Sequence, residues 1–204
     1  MKLKVHSLLV LFLIIFLIDC AEAKTYSLSL RYQPAKGFSS IQQKIGSTIG
    51  ISPFKDERQE KSYIGTHSPL QGLGTHFESN PKPLEKALQE SLGDALSRSG
   101  IKVVSAPSWD GTPRSLKNIE TDSILTMEIK KFWTEGKGSL FRTNIKTTVQ
   151  LVIYLGVKSE GKVFMREVDV EKEVTVSRST PERVEAIVNQ ILSDIFDAYF
   201  SSPY

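Results

Sequence analysis

The sequence predicts an α+β fold: an antiparallel or mixed sheet with a long β-hairpin and two helices packed on one face. Three features carry that expectation. The stretch from Phe141 to Ser177 alternates apolar and polar residues with period two on both sides of a turn at Lys158–Lys162. Leu84, Leu88, Leu92, Ala95 and Leu96 fall at helical spacing. So do Val184, Ile187, Val188, Ile191, Ile195 and Ala198 near the C-terminus.

In the first hairpin strand the odd positions run Phe141, Thr143, Ile145, Thr147, Val149, Leu151, Ile153, Leu155 and Val157, and they should face a core. In the second, Val168, Val170, Val174 and Val176 oppose an acidic face of Glu167, Asp169, Glu171 and Glu173. Like charges at every second position belong in water, so this ladder reads as a solvated surface and not as an acid/base pair. The turn position sets Lys146 across from Glu173. The first helix begins near Asn80, Pro81 and Pro83, gains from Glu85 at its positive end and stops at Gly100. Ile101–Val104 continues it as a strand. The second helix opens at Thr180-Pro181-Glu182, with Thr180 as cap. Its polar side, Glu185, Asn189, Ser193 and Asp197, is acidic where a membrane-surface helix would be basic, so it should dock on the sheet.

Shorter elements are expected at Tyr26–Tyr32, Ile45–Phe54 and Ile124–Trp133, the last with Leu125, Met127, Ile129 and Trp133 inward. Asp56–Asn80 has no periodicity and reads as one long irregular segment. Ser105–Asn118 is a second loop, in which Trp109 should plug a core.

The first 23 residues read as an address. Lys2 and Lys4 precede an apolar run from Ser7 to Ile18, too short to span a bilayer comfortably and suited to a signal peptide. Residues 1–23 are therefore assigned to the signal, and residues 24–204 to a single α+β envelope domain. Three exits are open. Ala21-Glu22-Ala23 suits cleavage before Lys24; Leu17-Ile18-Asp19-Cys20 is similar to a lipobox and would make Cys20 a lipidation site; or the segment stays as an anchor. Cys20 is the only cysteine, so cleavage after Ala23 leaves no disulfide and no cysteine metal site.

Of the 204 residues, 24% are charged, and the net charge of +3 is unchanged by removal of the first 23. The basic residues are interleaved with acids, which argues against nucleic acid as a partner. His67, His76 and Glu78 match no metal-ligand spacing with a mechanism behind it. Gly72-Leu73-Gly74 lacks the residues of a phosphate loop, and no nucleophile motif is present.

The order of signal segment, strand, long irregular stretch, helix, two strands, long hairpin and terminal helix carries PLEKALQESLGDALSRSGIKVV and TPERVEAIVNQILSDIFDAYF. This layout, from Ile45 to the C-terminus, resembles the YajG-type bacterial envelope lipoproteins. The resemblance implies an α+β fold and an envelope location, and it brings no catalytic residues. Asp19 stands where that family's lipobox has a small residue.

The functional expectation is a non-catalytic periplasmic or envelope-associated binding protein without a cofactor. Its partner would be an envelope protein or a lipid-like ligand, and its membrane contact would run through an acylated Cys20. The alternative is a docking subunit of an envelope transport or assembly complex, touching its partner with the hairpin tip through Lys158, Lys162 and Phe164. A binding module calls for an apolar cleft under residues 56–80; a docking subunit calls for an exposed apolar hairpin end.

Overall fold

The computed structural model describes residues 24–35, 45–71, 73–79, 81–177 and 179–201. Cys20 and Asn80 lie outside the described residues.

Three long antiparallel strands form the frame: β7 (Ser123–Gly138), β8 (Thr143–Val157) and β9 (Lys162–Val176). β8 keeps strict alternation, and Thr143, Ile145, Thr147, Val149, Leu151, Ile153, Leu155 and Val157 are all buried. Phe141 does not join them. It lies before the first paired residue and is 83% exposed. The β8–β9 register places Lys146 opposite Glu173, as the alternation requires. The charges then pair along the diagonal: Lys146 Nζ reaches Glu171 at 2.7 Å, while Asn144 donates to Glu173.

The other edge of β7 is shared by short parallel strands in succession. β2 (Thr48–Ile51) pairs with residues 123–125, β3 (Lys55–Asp56) with 128–129, and β4 (Gly65–Ser68) with 134–137. β2 also pairs with β6 (Lys102–Ser105), while β4 pairs antiparallel with β5 (Thr75–Glu78). β1 (Lys24–Ser27) lies parallel to β5. The sheet is mixed. The expected irregular stretch at 56–80 thus holds two strands, and its first turn is braced from within. Arg58 grips Asp56 through two nitrogens (Nε to Oδ1 2.9 Å, a terminal nitrogen to Oδ2 2.8 Å) and donates to the carbonyl of Tyr63.

A bulge between Ile129 and Lys131 shifts the phase of β7. Leu125, Met127 and Ile129 face the core before it; Phe132 and Thr134 do so after it. Trp133, expected inward by simple alternation, is left half-buried. The Ile45–Phe54 element is strand only at Thr48–Ile51.

Two helices cover one face: α1 (Leu84–Arg98) and α2 (Pro181–Ser201). The N-cap position of α1 is Pro83, and α2 begins with the Arg183 N–H donating to Thr180 Oγ1 at 3.3 Å. Both helices pack on an extended segment. After Ser27 the chain leaves the strand ladder, yet Leu28, Leu30 and Tyr32 stay buried in the main core. Its outward N–H groups are taken by the polar stripe of α2. Ser29 donates to Glu185 (2.7 Å), Arg31 to Asn189 Oδ1 (2.9 Å), Gln33 to Ser193 (3.2 Å) and Ala35 to Asp197 (3.0 Å). Asn189 returns a bond to the Ser29 carbonyl at 2.9 Å. From the other side, Ser91 of α1 accepts from the Tyr32 N–H.

Asn189→Ala removes both bonds to this segment, so it should cost about 1–2 kcal/mol in chemical denaturation. Gln190→Ala, one position along on the exposed side, should stay within about 0.5 kcal/mol.

Candidate functional site

The register of β4 and β5 decides the histidines first. Directly opposed residues of an antiparallel pair share a face. His67 is opposite Thr75 and His76 is opposite Thr66, so the two imidazoles lie on opposite faces of the sheet. They cannot close on one ion with Glu78, which shares the His76 side. Among the described residues no group of three His, Cys, Asp or Glu side chains could hold a metal. His76 stacks on Tyr63 at 4.3 Å between ring centres. Burial pushes the His67 imidazole below its ordinary range. Asp56 and Arg58 are likewise occupied with each other and with backbone carbonyls. Asp56 and Arg58 thus hold the turn together.

A different arrangement forms where β7 begins and the β8–β9 turn closes. On the sheet face away from the helices, Trp109, Leu116 and Ile124 make a second small core. It exists because Gly156 has no side chain: a Cβ there would sit 2.3 Å from a Leu116 methyl. Ala106, Ile119, Tyr154 and Val163 pack around it. The loop from 106 to 121 is pinned by its own hydrogen bonds. Trp109 donates from its backbone to Ser52 Oγ (2.9 Å) and from its indole to Ser115 Oγ (2.7 Å). Asp110 accepts from Ser115 and from the Thr112 N–H, and these bonds hold its carboxyl below the usual range. Trp109 is therefore a plug, as expected, and it is also the wall of an opening.

That opening is a cleft of roughly 330 Å³ between Val104, Ala106, Pro107 and Trp109 on one side and Ile119 and Ile124 on the other. Ser105, Asn118 and Thr121 give it polar corners. Apolar walls with a few convergent polar groups are the usual make-up of a binding site. It lies under the 106–121 loop, not under residues 56–80. Beside it runs β6, which pairs with β2 alone among the described residues. The N–H groups of Lys102 and Ala106 point to β2, so by alternation those of Val103 and Ser105 point outward. Val104 is 37% exposed at the mouth of the cleft.

The hairpin tip borders the same region. Lys158 donates from Nζ to the Ile119 carbonyl (2.6 Å) and from its backbone to the Asp122 carbonyl (2.9 Å). Lys162 is exposed; Phe164 is half-buried and packs against the main core. The tip lies back on the domain and joins the rim of the cleft. Sequence reasoning found Trp109 and the tip but missed their adjacency, because nothing local marks β6 as a free edge.

No protein-family model matches the chain, and no curated protein matches it. Among solved structures the fold is similar to that of a DUF330 protein from Xanthomonas campestris, with a TM-score of 0.51 at 16% identity, covering 86% of this chain and 92% of that one. Lower similarity relates it to the protein CT253 from Chlamydia trachomatis (TM-score 0.46, 13% identity, 76% and 97% covered). The same holds for the lipoprotein GNA1162 from Neisseria meningitidis (TM-score 0.41, 16% identity, 74% and 99% covered). At these identities the likeness is one of fold.

Asp122 ties this end together. Its carboxylate accepts from the Ser47 and Thr48 N–H groups, each at 2.9 Å, and bonds from Thr48 and Ser47 hold its carboxyl below the ordinary value of 3.8. A depressed carboxyl contributes stability that is present above its unfolded pKa and is lost as pH falls below it. Asp122→Ala should therefore be less stable than the parent at neutral pH. It should also lose less than the parent between about pH 5 and pH 3, as read by melting temperature against pH.

Proposed function

We propose that this protein is a non-catalytic, envelope-associated docking protein that binds an extended segment of another envelope protein at the Trp109 cleft. The observation that carries the reading is the cleft's position beside the outer edge of β6. An extended segment can pair with Val103 and Ser105 through its backbone while an apolar side chain enters between Trp109 and Ile119. Backbone pairing supplies general affinity, and the pocket supplies selection. Of the residues proposed for partner contact, Lys158 borders this surface through the Ile119 carbonyl, while Phe164 and Lys162 lie in register with Leu155 and Val157 of the main core.

The envelope assignment is supported by the apolar run from Ser7 to Ile18, whether it is cleaved at Ala21-Glu22-Ala23, processed at Cys20 or kept as an anchor. No described helix is long and apolar enough to cross a membrane. The resemblance of the layout to YajG-type lipoproteins agrees with the same location. A lipid-like ligand fits less well. The cleft is short, and the open strand edge beside it would have no function in acyl-chain binding.

A photo-crosslinking residue placed at Val104 or Asn118 in intact cells should give one discrete adduct with an envelope protein. Trp109→Ala, which removes the cleft wall, should reduce that adduct at least about tenfold, the scale on which one buried anchor residue acts. The same crosslinker at Glu171, on the solvated face of β9, is the control. Equal adducts at all three positions, or no effect of Trp109→Ala on a chain that remains folded, would overturn the reading.

A further inference from the structure

The end of the molecule opposite the cleft carries a separate feature. The β7–β8 turn, residues 139–142, is closed by Ser139, whose N–H and hydroxyl both donate to the Arg142 carbonyl (2.7 and 2.8 Å). Its two central residues are Leu140, 78% exposed, and Phe141, 83% exposed. The β4–β5 turn lies against it: a Cβ on Gly138 would sit 3.0 Å from the Pro69 Cα. That second turn presents Leu70 and Leu73, each more than half exposed. Four large apolar side chains therefore project together from two touching turns, and the one that holds Leu140 and Phe141 is fixed by its own hydrogen bonds. Singly exposed apolar residues need no explanation, but a cluster like this one does.

Two further facts identify what covers it. Lys24, the first residue of β1, is in register with Thr75, the second residue after Leu73. The first described residue of the fold thus lies at the apolar end, four residues after Cys20 and its preceding apolar run. Any tether made by Cys20 or by residues 7–18 would hold this end, and not the cleft, at a membrane. Charge agrees. Lys24, Lys137 and Arg142 lie at the same end, in or beside the strands that lead into the two turns. The acids nearby are Glu135, engaged by Lys137 at 3.1 Å; Glu173, opposite Lys146 and bonded by Asn144; and Glu182 at the start of α2, offset by the adjacent Arg183.

We infer that this end is a membrane-docking surface, in which Leu70, Leu73, Leu140 and Phe141 enter the interfacial layer of a bilayer with anionic headgroups. Lys24, Lys137 and Arg142 contact those headgroups. This inference stands independently of the Trp109 cleft.

The chain from Lys24 onward carries every described element and the whole core, so it can be tested without a tether. Its sole cysteine is gone, and Phe141→Cys gives a unique site for an environment-sensitive fluorophore. With vesicles of three parts phosphatidylethanolamine to one part phosphatidylglycerol, the chain should co-sediment. The label at position 141 should shift to the blue, whereas a label introduced by Ser108→Cys at the cleft end should not. Leu140→Glu with Phe141→Glu should reduce partitioning about tenfold or more with an unchanged melting temperature. The inference is overturned if the parent chain stays in solution, or if it sediments without a shift at position 141. It is also overturned if the charged variant binds equally, or if the shift appears without vesicles as protein concentration rises. The last result would make this end a contact between copies.

Discussion

The fold depends on how the segment after β1 is satisfied. Residues 28–35 bury Leu28, Leu30 and Tyr32 between two helices, where a backbone N–H without a partner is costly. The Leu28 N–H still reaches the Glu78 carbonyl of β5, but beyond it no described strand accepts the bonds of the segment, and α2 does so with side chains. A helix brings every fourth residue to the same side with a rise of about 6 Å. An extended chain presents every second N–H about 6.6 Å apart. The two repeats are close enough for Glu185, Asn189, Ser193 and Asp197 to meet Ser29, Arg31, Gln33 and Ala35 in succession. Their different lengths span the small mismatch that accumulates. α1 supplies the complementary side: Ser91 accepts from Tyr32, and Arg98 donates to its carbonyl. Both helices lie on one face of the sheet because both are bonded to the same segment. Tyr32 locks the arrangement, since its hydroxyl donates to Asp197 at 2.8 Å, and burial and that carboxylate hold the phenol far above its ordinary range.

This interaction was the least legible part of the sequence. A polar stripe opposite an apolar one looks the same whether it meets water or a backbone, so Glu185, Asn189, Ser193 and Asp197 read only as the helix's polar side. The hairpin was legible for the opposite reason. Strict alternation fixes parity, and a slip of one residue would turn Ile145, Val149 and Leu151 outward. β4 and β5 escaped notice because Gly-Thr-His-Ser and Thr-His-Phe-Glu carry a single large apolar residue between them. Their pairing is imposed by β7 and β1, not by their own pattern. The bulge in β7 was hidden for a related reason: Lys130 and Lys131 break the alternation without saying which side resumes it. At the candidate site Trp109 was visible as a plug. Its cleft was not, because the cleft is made by Gly156, Ile119 and the β6 edge, which are distant in sequence.

Strand direction then gives the molecule two unlike ends. β8 runs 15 residues between the Leu140–Phe141 turn and the Lys158 turn, a separation of about 50 Å at ~3.3 Å per residue. β7 fixes what gathers at each end, because three short strands share its edge in parallel. The starts of β2 and β7 lie toward the cleft, and the exits of β4 and β7 collect at the apolar turns. Lys24 lies with the latter through β5.

The faces between these ends are kept from acting as contact surfaces. β9 has β8 as its one strand partner among the described residues, which leaves a 15-residue edge of the kind that recruits other chains. Its outward residues Glu167, Asp169, Glu171 and Glu173 are exposed, so a second copy laid against them would bring like charges together. Its inward valines are covered by α2, which is fastened to β9 by Lys172 and Asp194 at 2.9 Å and by Arg166 to the Ala198 carbonyl at 3.4 Å. With the long edge charged and the opposite face roofed, exposed apolar surface is left at the two ends. The length of the hairpin, more than a single helix needs for cover, therefore separates the two proposed contact surfaces and does not constitute one.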